Sequence, residues 1–264
     1  MKMFKKSLSV ILAVMMLFGC LSIAVFAENG KVTVSLRIEG INACLYYDDV
    51  TVNDGSTVLD VVKTADEKDD SLSVNAIESK YGAYINAING ITAGSYTAIK
   101  WDGWLYMVNG VVADVSVDDF TVSDGQAIVM YYGDPYVTGM QYPIMNTDKL
   151  SNGIVSFTSM DTTYDDLTFE PIVEECPVTD YKLTWGYNGK TVELTPDENG
   201  VCTIPYKYLT YGKHTVQIEK YDAKTGLPTV LRYAPDYSVS ISFSDSIINL
   251  FRMIIDLITS LFVK

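Results

Sequence analysis

The chain has 264 residues, with 33 acidic against 19 basic side chains and a formal net charge of −14. So acidic a surface repels phosphate backbones, which sets nucleic acid aside as a partner and favours solubility outside the cell. Of four cysteines, the three beyond the N-terminal apolar run, Cys44, Cys176 and Cys202, are too few for a disulfide framework, and the length suits two modest domains.

In chain order, Lys2, Lys5 and Lys6 form a basic start and an apolar run follows from Leu8 to Ile23. Val25-Phe26-Ala27 then offers a cleavage site ahead of the first acid, Glu28. Residues 1–27 read as a secretory signal peptide, which predicts a secreted, extracellular protein associated with the cell surface. The alternatives are a retained anchor or a lipoprotein box at Leu17-Phe18-Gly19-Cys20, where Phe18 is bulky for such a box. Cleavage removes three lysines and no acid, leaving 16 basic and 33 acidic residues, a charge near −17. Asp66-Glu67-Lys68-Asp69-Asp70 and Asp118-Asp119 lack calcium-loop spacing and read as solvated faces.

Residues 28–136 form the first predicted unit. In "KVTVSLRIE" (31–39), Val32, Val34, Leu36 and Ile38 share one strand face, with Lys31, Thr33, Ser35 and Arg37 on the other. A second strand, "ACLYYDDVTV", holds Cys44 and ends at Asp54-Gly55. Thr57 with Asp60 makes a capping-box pattern, and Val58, Leu59, Val61, Val62 and Ala65 give a short amphipathic helix. Strands resume at "YGAYINAING", "YTAIKW", "WLYMVNG" and "DGQAIVMYYG". The fold class is mainly β, α+β, with a β-grasp-like ββαβ… first unit.

A linker is predicted over 137–152. Residues 153–243 carry short strands at the spacing of an immunoglobulin-like β-sandwich: "GIVSFTSM", "DLTFEPIV", "DYKLTWGY", "KTVELTP", "GVCTIPY", "GKHTVQIEKYD" and "DYSVSISFS". Cys176 and Cys202 fall in this unit and could pair there. Residues 244–264 form an amphipathic helix whose polar stripe is Ser246, Asn249, Arg252, Asp256 and Thr259-Ser260. Arg252 and Asp256 are spaced to pair. Its apolar face, Ile247–Val263, needs cover, and three readings stand: membrane-interface contact, self-association, or capping of its own domain.

Catalytic signatures are missing. The one histidine, His214, lies in an alternating strand, and no nucleophile elbow, zinc-protease helix or P-loop occurs. Acids such as Asp165-Asp166 read as turn formers, no metal-ligand set is evident, and the chain is read as non-enzymatic with no cofactor.

"WDGWLYMVNG" (101–110) is unusually aromatic. Trp104, Tyr106 and Val108 point one way from the strand, Leu105 and Met107 the other, and Asn109-Gly110 makes a type I′ turn. Both faces are apolar. One closes the core against Val58, Leu59 and Val62; the other must meet a partner, a ligand or the second unit. Trp104 is then either core, with Trp101 a locally packed turn residue, or it lines a shallow site with Trp101, Tyr106, Tyr84 and Tyr96.

"YGAYINAINGI", "WDGWLYMVNGVVADVSV" and "VSDGQAIVMYYGD" together resemble the bacterial transcobalamin-like C-terminal domain family, over about 31–136. Gln126 stands where that family usually has an acid. The vertebrate relatives hold cobalamin between a helical domain and this β-domain, and this chain has no helical partner domain. The resemblance implies the β-grasp fold and, less directly, capture of cobalamin or another corrinoid by the aromatic hairpin. The alternative is a structural or adhesive cell-surface module that binds a protein or glycan.

Overall fold

The structure, a computed structural model, describes residues 30–80, 82–135, 140–164, 167–168 and 171–262, with only the backbone described at 161–164, 171–173, 256 and 260–262. The signal-peptide segment, Asp165-Asp166 and the Asp256 side chain expected to pair with Arg252 lie outside the described residues.

Alternation makes β1 (Lys31–Glu39) a strand that buries Val34, Leu36 and Ile38 completely. It pairs antiparallel with β2 (Cys44–Asn53). Helix α1 (Val58–Lys68) starts where the sequence predicts, because the Thr57 backbone N–H donates to the Asp60 carboxylate at 2.8 Å while the Asp60 N–H returns to Thr57. Its apolar stripe, Val58, Leu59, Val61, Val62 and Ala65, is buried against the sheet.

The strands β3 (Val74–Ser79), β4 (Gly82–Ile88) and β5 (Ile91–Thr92) form a small antiparallel sheet. The hairpin β6 (Gly103–Val108) and β7 (Val111–Val112) then joins β8 (Ala127–Gly133) in the main sheet, ordered β2-β1-β8-β6-β7. The central pair β1 and β8 is parallel, with α1 as part of the crossover. The fold is mainly β, of α+β type, as the pattern predicts.

One predicted strand is absent. "YTAIKW" is a series of turns, because the Asp102 carboxylate accepts from the Tyr96 N–H at 2.8 Å and the Thr97 N–H at 3.0 Å, and Lys100 takes φ +58°. Those amides are tied to a side chain instead of a neighbouring strand.

Further on, β9 (Ile144–Asn146), β10 (Ile154–Tyr164), β11 (Pro171–Pro177) and β14 (Val201–Thr203) make one sheet. A second has the order β13 (Lys190–Leu194), β12 (Lys182–Tyr187), β15 (Gly212–Glu219) and β16 (Ser238–Ile241). The two share one core of Val155, Phe157, Leu183, Trp185, Val216 and Ile218 among others. His214 belongs to it, stacked on Trp185, with its ring nitrogens 3.0 Å from the Gly186 carbonyl and 2.7 Å from that of Thr210.

The suggested Cys176–Cys202 disulfide does not form; both are free thiols. Cys176 faces Ser159 on one edge of β10 and Cys202 faces Val155 on the other, four residues along. With strands ~4.8 Å apart and a rise of ~3.4 Å per residue, their Cα atoms are well beyond the ~7 Å a bridge tolerates.

The segment 227–232 lies over the first sheet. Leu227 is fully buried in the core of α1 and β1, while Leu231 packs with Met107, Val129 and Tyr131. The outer face of the hairpin is therefore covered by the chain itself. Arg37, expected on the open face of β1, is 7% exposed, because its guanidinium donates to the Arg232 carbonyl at 2.9 Å.

Candidate functional site

Alternation in β6 places Trp104 and Tyr106 on the α1 side, where both are largely buried. Their polar ends are used internally. Trp104 Nε1 donates to the Ile91 carbonyl at 2.9 Å, and the Tyr106 hydroxyl to the Val115 carbonyl at 2.9 Å. The hairpin turn is held by Asn109 and Gly110, both at positive φ, with the Asn109 side chain accepting from the Ala127 N–H. Burial first, then Asp114, Asp119 and Asp118, pushes the Tyr106 phenol up to about 12. It stays a neutral donor at physiological pH.

Between β4 and the β6–β7 hairpin lies a cleft of about 340 Å³. Trp104, Tyr106 and Ile85 contribute the buried surface, and exposed Tyr84, Val112 and Val115 the outer walls. Ser79 and Ser116 mark the rim, with hydroxyls already engaged by the Gly82 carbonyl at 2.7 Å and the Asp118 carboxylate at 2.6 Å. The Ser116 hydroxyl and the Ala83 N–H hold the Asp118 carboxyl below its usual range. Gly82 closes this end at φ +96°, so near the 116–118 loop that a Cβ there would sit 2.5 Å from Ser116 Oγ. Among the described lining residues the ionisable groups are tyrosine phenols, so the lining presents no acid–base pair or nucleophile–base pair.

Of the five expected site residues, the structure brings Tyr84, Trp104 and Tyr106 to one cleft. Tyr96 and Trp101 are not part of its lining. Tyr96 packs edge-on against Tyr132 at 5.4 Å, and Tyr132 in turn against Trp104 at 5.4 Å, so Tyr96 joins an aromatic row that runs behind the cleft from Trp104. Trp101 is 59% exposed in the turn before Asp102. Sequence reading missed Val112 and Val115. The available signal was the run "VVADVSV" just after the turn, whose apolar side chains exceed what a two-residue edge strand can bury on one face.

Residues 55–134, less than half of the chain, match the family described as "Domain of unknown function (DUF4430)". No protein of curated function matches. Similar solved structures include haptocorrin in complex with Cbi, at 23% identity over 44% of this chain and 28% of that one, with a TM-score of 0.37. Another is a candidate metal binding protein from Ruminococcus gnavus ATCC 29149, at 18% identity over 40% of this chain and 99% of that one, with a TM-score of 0.31. The chain thus spans little more than a quarter of haptocorrin's length.

Proposed function

We propose that this is a secreted or surface-associated, non-catalytic ligand-binding protein whose site is the cleft between β4 and the β6–β7 hairpin. The observation that carries the reading is an apolar cleft of about 340 Å³ with a floor already locked by hydrogen bonds. A rigid floor leaves little to order on binding, and the volume is at the lower end of small-molecule sites. Exposed Tyr84, Val112 and Val115 favour a flat, largely apolar ligand. A corrinoid is the leading class, supported by the Gly103-Trp104…Asn109-Gly110 motif. A macrocycle is larger than the cleft, so an edge or side group would enter and the rest would lie against Val111 and Val112.

The test is calorimetric titration of residues 28–264 with cobinamide and cobalamin, with Val112→Glu and Tyr84→Ala alongside. Both side chains are exposed, so the fold should survive the substitutions. Saturable heat, weakened at least about tenfold by either change, is expected. No heat at high micromolar corrinoid refutes the ligand class, and binding indifferent to both substitutions refutes the cleft. A structural or adhesive module for a protein or glycan is the second reading. It is favoured by the burial of Trp104 and Tyr106, whose N–H and O–H donors are already used within the fold.

A further inference from the structure

The C-terminal helix α2 (Phe243–Phe262) is mounted with Asn249 and Arg252 toward the body. Ser242 caps it, accepting from the Asp245 N–H at 3.1 Å. Asn249 is 1% exposed, and Arg252 donates to the Ser151 carbonyl at 3.2 Å while its guanidinium lies over the Tyr206 ring at 5.5 Å. Asn249 and Arg252 therefore mark the side of the helix that meets the body, with Arg252 making the bond to it. Its large apolar ones face outward: Ile247, Ile248, Leu250, Phe251, Ile254 and Leu257 are all 39–64% exposed.

At ~100° per residue, the exposed apolar side chains run from Met253 through Leu250, Ile254 and Phe251 round to Ile248, an arc of about 220°. Asn249 and Arg252 fall in the remainder, on the docked side. An apolar surface this wide is far beyond the scattered residues of a soluble face. Its width also discriminates between covers. A second helix packs along a seam of roughly 100° and would leave about half of the arc in water. Repulsion between two copies of residues 28–264, each with a net charge near −17, opposes pairing further. An apolar phase, by contrast, covers the whole arc at once. No helix among the described residues is long and apolar enough to cross a membrane.

We propose that α2 is a monotopic lipid-surface element: it lies in the plane of a bilayer interface with Phe251 and its neighbours among the acyl chains, and the protein body rides above it on the Asn249–Arg252 side. At ~1.5 Å per residue the helix offers about 30 Å of contact along the surface. The acidic body selects a zwitterionic surface over an anionic one. This surface is separate from the cleft between β4 and the hairpin, and the two readings stand or fall independently.

The experiment is sedimentation of residues 28–264, which contain every described element, with phosphatidylcholine vesicles, beside Phe251→Gln/Leu257→Gln. Both residues are exposed, so circular dichroism should show the helix and sheets unchanged. The original chain is expected to pellet with vesicles and to run as a monomer without them, and the double variant to lose at least about tenfold in partitioning. A chain that dimerises without lipid, stays in the supernatant with vesicles, and becomes monomeric on substitution overturns the proposal in favour of self-association. A monomer that ignores vesicles overturns it outright, as does vesicle binding that survives the double substitution.

Discussion

Replacing Arg232 with methionine tests how the two parts of the chain are joined. Arg232 donates five hydrogen bonds: two to the Glu39 carboxylate at 3.0 and 2.7 Å, and one each to the Gly40 carbonyl, the Ile41 carbonyl and the Tyr221 hydroxyl. Glu39 is 3% exposed and Arg232 9%, so water replaces none of these cheaply. Methionine keeps most of the apolar stem and removes the charge. Glu39 would then be left buried with the Arg37 guanidinium at 3.8 Å, too far for a hydrogen bond. Breaking a buried pair in this way costs ~3–5 kcal/mol, against ~1 kcal/mol or less for an exposed one. Since Leu227 and Leu231 depend on the same strap, the loss should appear as a lower urea midpoint for the first core. Glu39→Gln/Arg232→Met completes the cycle, and a coupling of at least ~1 kcal/mol is expected because the double variant removes the stranded carboxylate, at the cost of leaving Arg37 without its charge partner at 3.8 Å. An Arg232→Met cost below ~1 kcal/mol, or additivity within ~0.5 kcal/mol, would refute the strap as the joint.

Asp102 is 2% exposed; burial works against its charged form, but the hydroxyls of Thr97 and Tyr132 and the N–H groups of residues 96 and 97 outweigh it and hold the carboxyl at about 2. Against ~3.9 when unfolded, that depression is worth about 2.5 kcal/mol, present above pH ~4 and lost as pH falls through about 2. Asp102→Asn should therefore be less stable at neutral pH, with the gap closing in acid; a pH-independent gap in chemical denaturation would count against this account. Burial, then the Glu39 carboxylate, pushes the Cys44 thiol up to about 12, and burial pushes Cys202 up to about 11. Both should resist alkylation at mildly alkaline pH in the native protein. In residues 28–264, three thiols should react in guanidinium without reductant, and recovering only one would restore the Cys176–Cys202 bridge. Gly82→Ala places a Cβ at positive φ and 2.5 Å from Ser116 Oγ, so the melting point should drop by the equivalent of ~1–3 kcal/mol. An unchanged melting curve would show that the end of the cleft is loose.

Features encoded within a few residues were legible. The Thr57–Asp60 box needs only its own turn, and the Asn109-Gly110 hairpin only its own backbone. The alternation of Trp104, Tyr106 and Val108 against Leu105 and Met107 divides between two cores as the period of the strand requires. The turn at 96–101 was harder, since β-rich composition there yields to one carboxylate that captures two amides. Arg37 was read as solvent-facing because the residue that covers it lies 195 positions away.

The sequence by itself determined most of the elements, the apolar face of each and the aromatic character of the hairpin, because periodicity and capping act over one or two turns of chain. Only the tertiary structure decided what meets those faces. It buried Trp104 and Tyr106 as floor and left Tyr84, Val112 and Val115 as walls, because the small β3-β4-β5 sheet stands against β6. It separated Cys176 from Cys202 by putting β10 between them. It also turned Asn249 and Arg252 of α2 inward, which no periodicity reveals, since a helical pattern records that two faces differ and not which one the body will take.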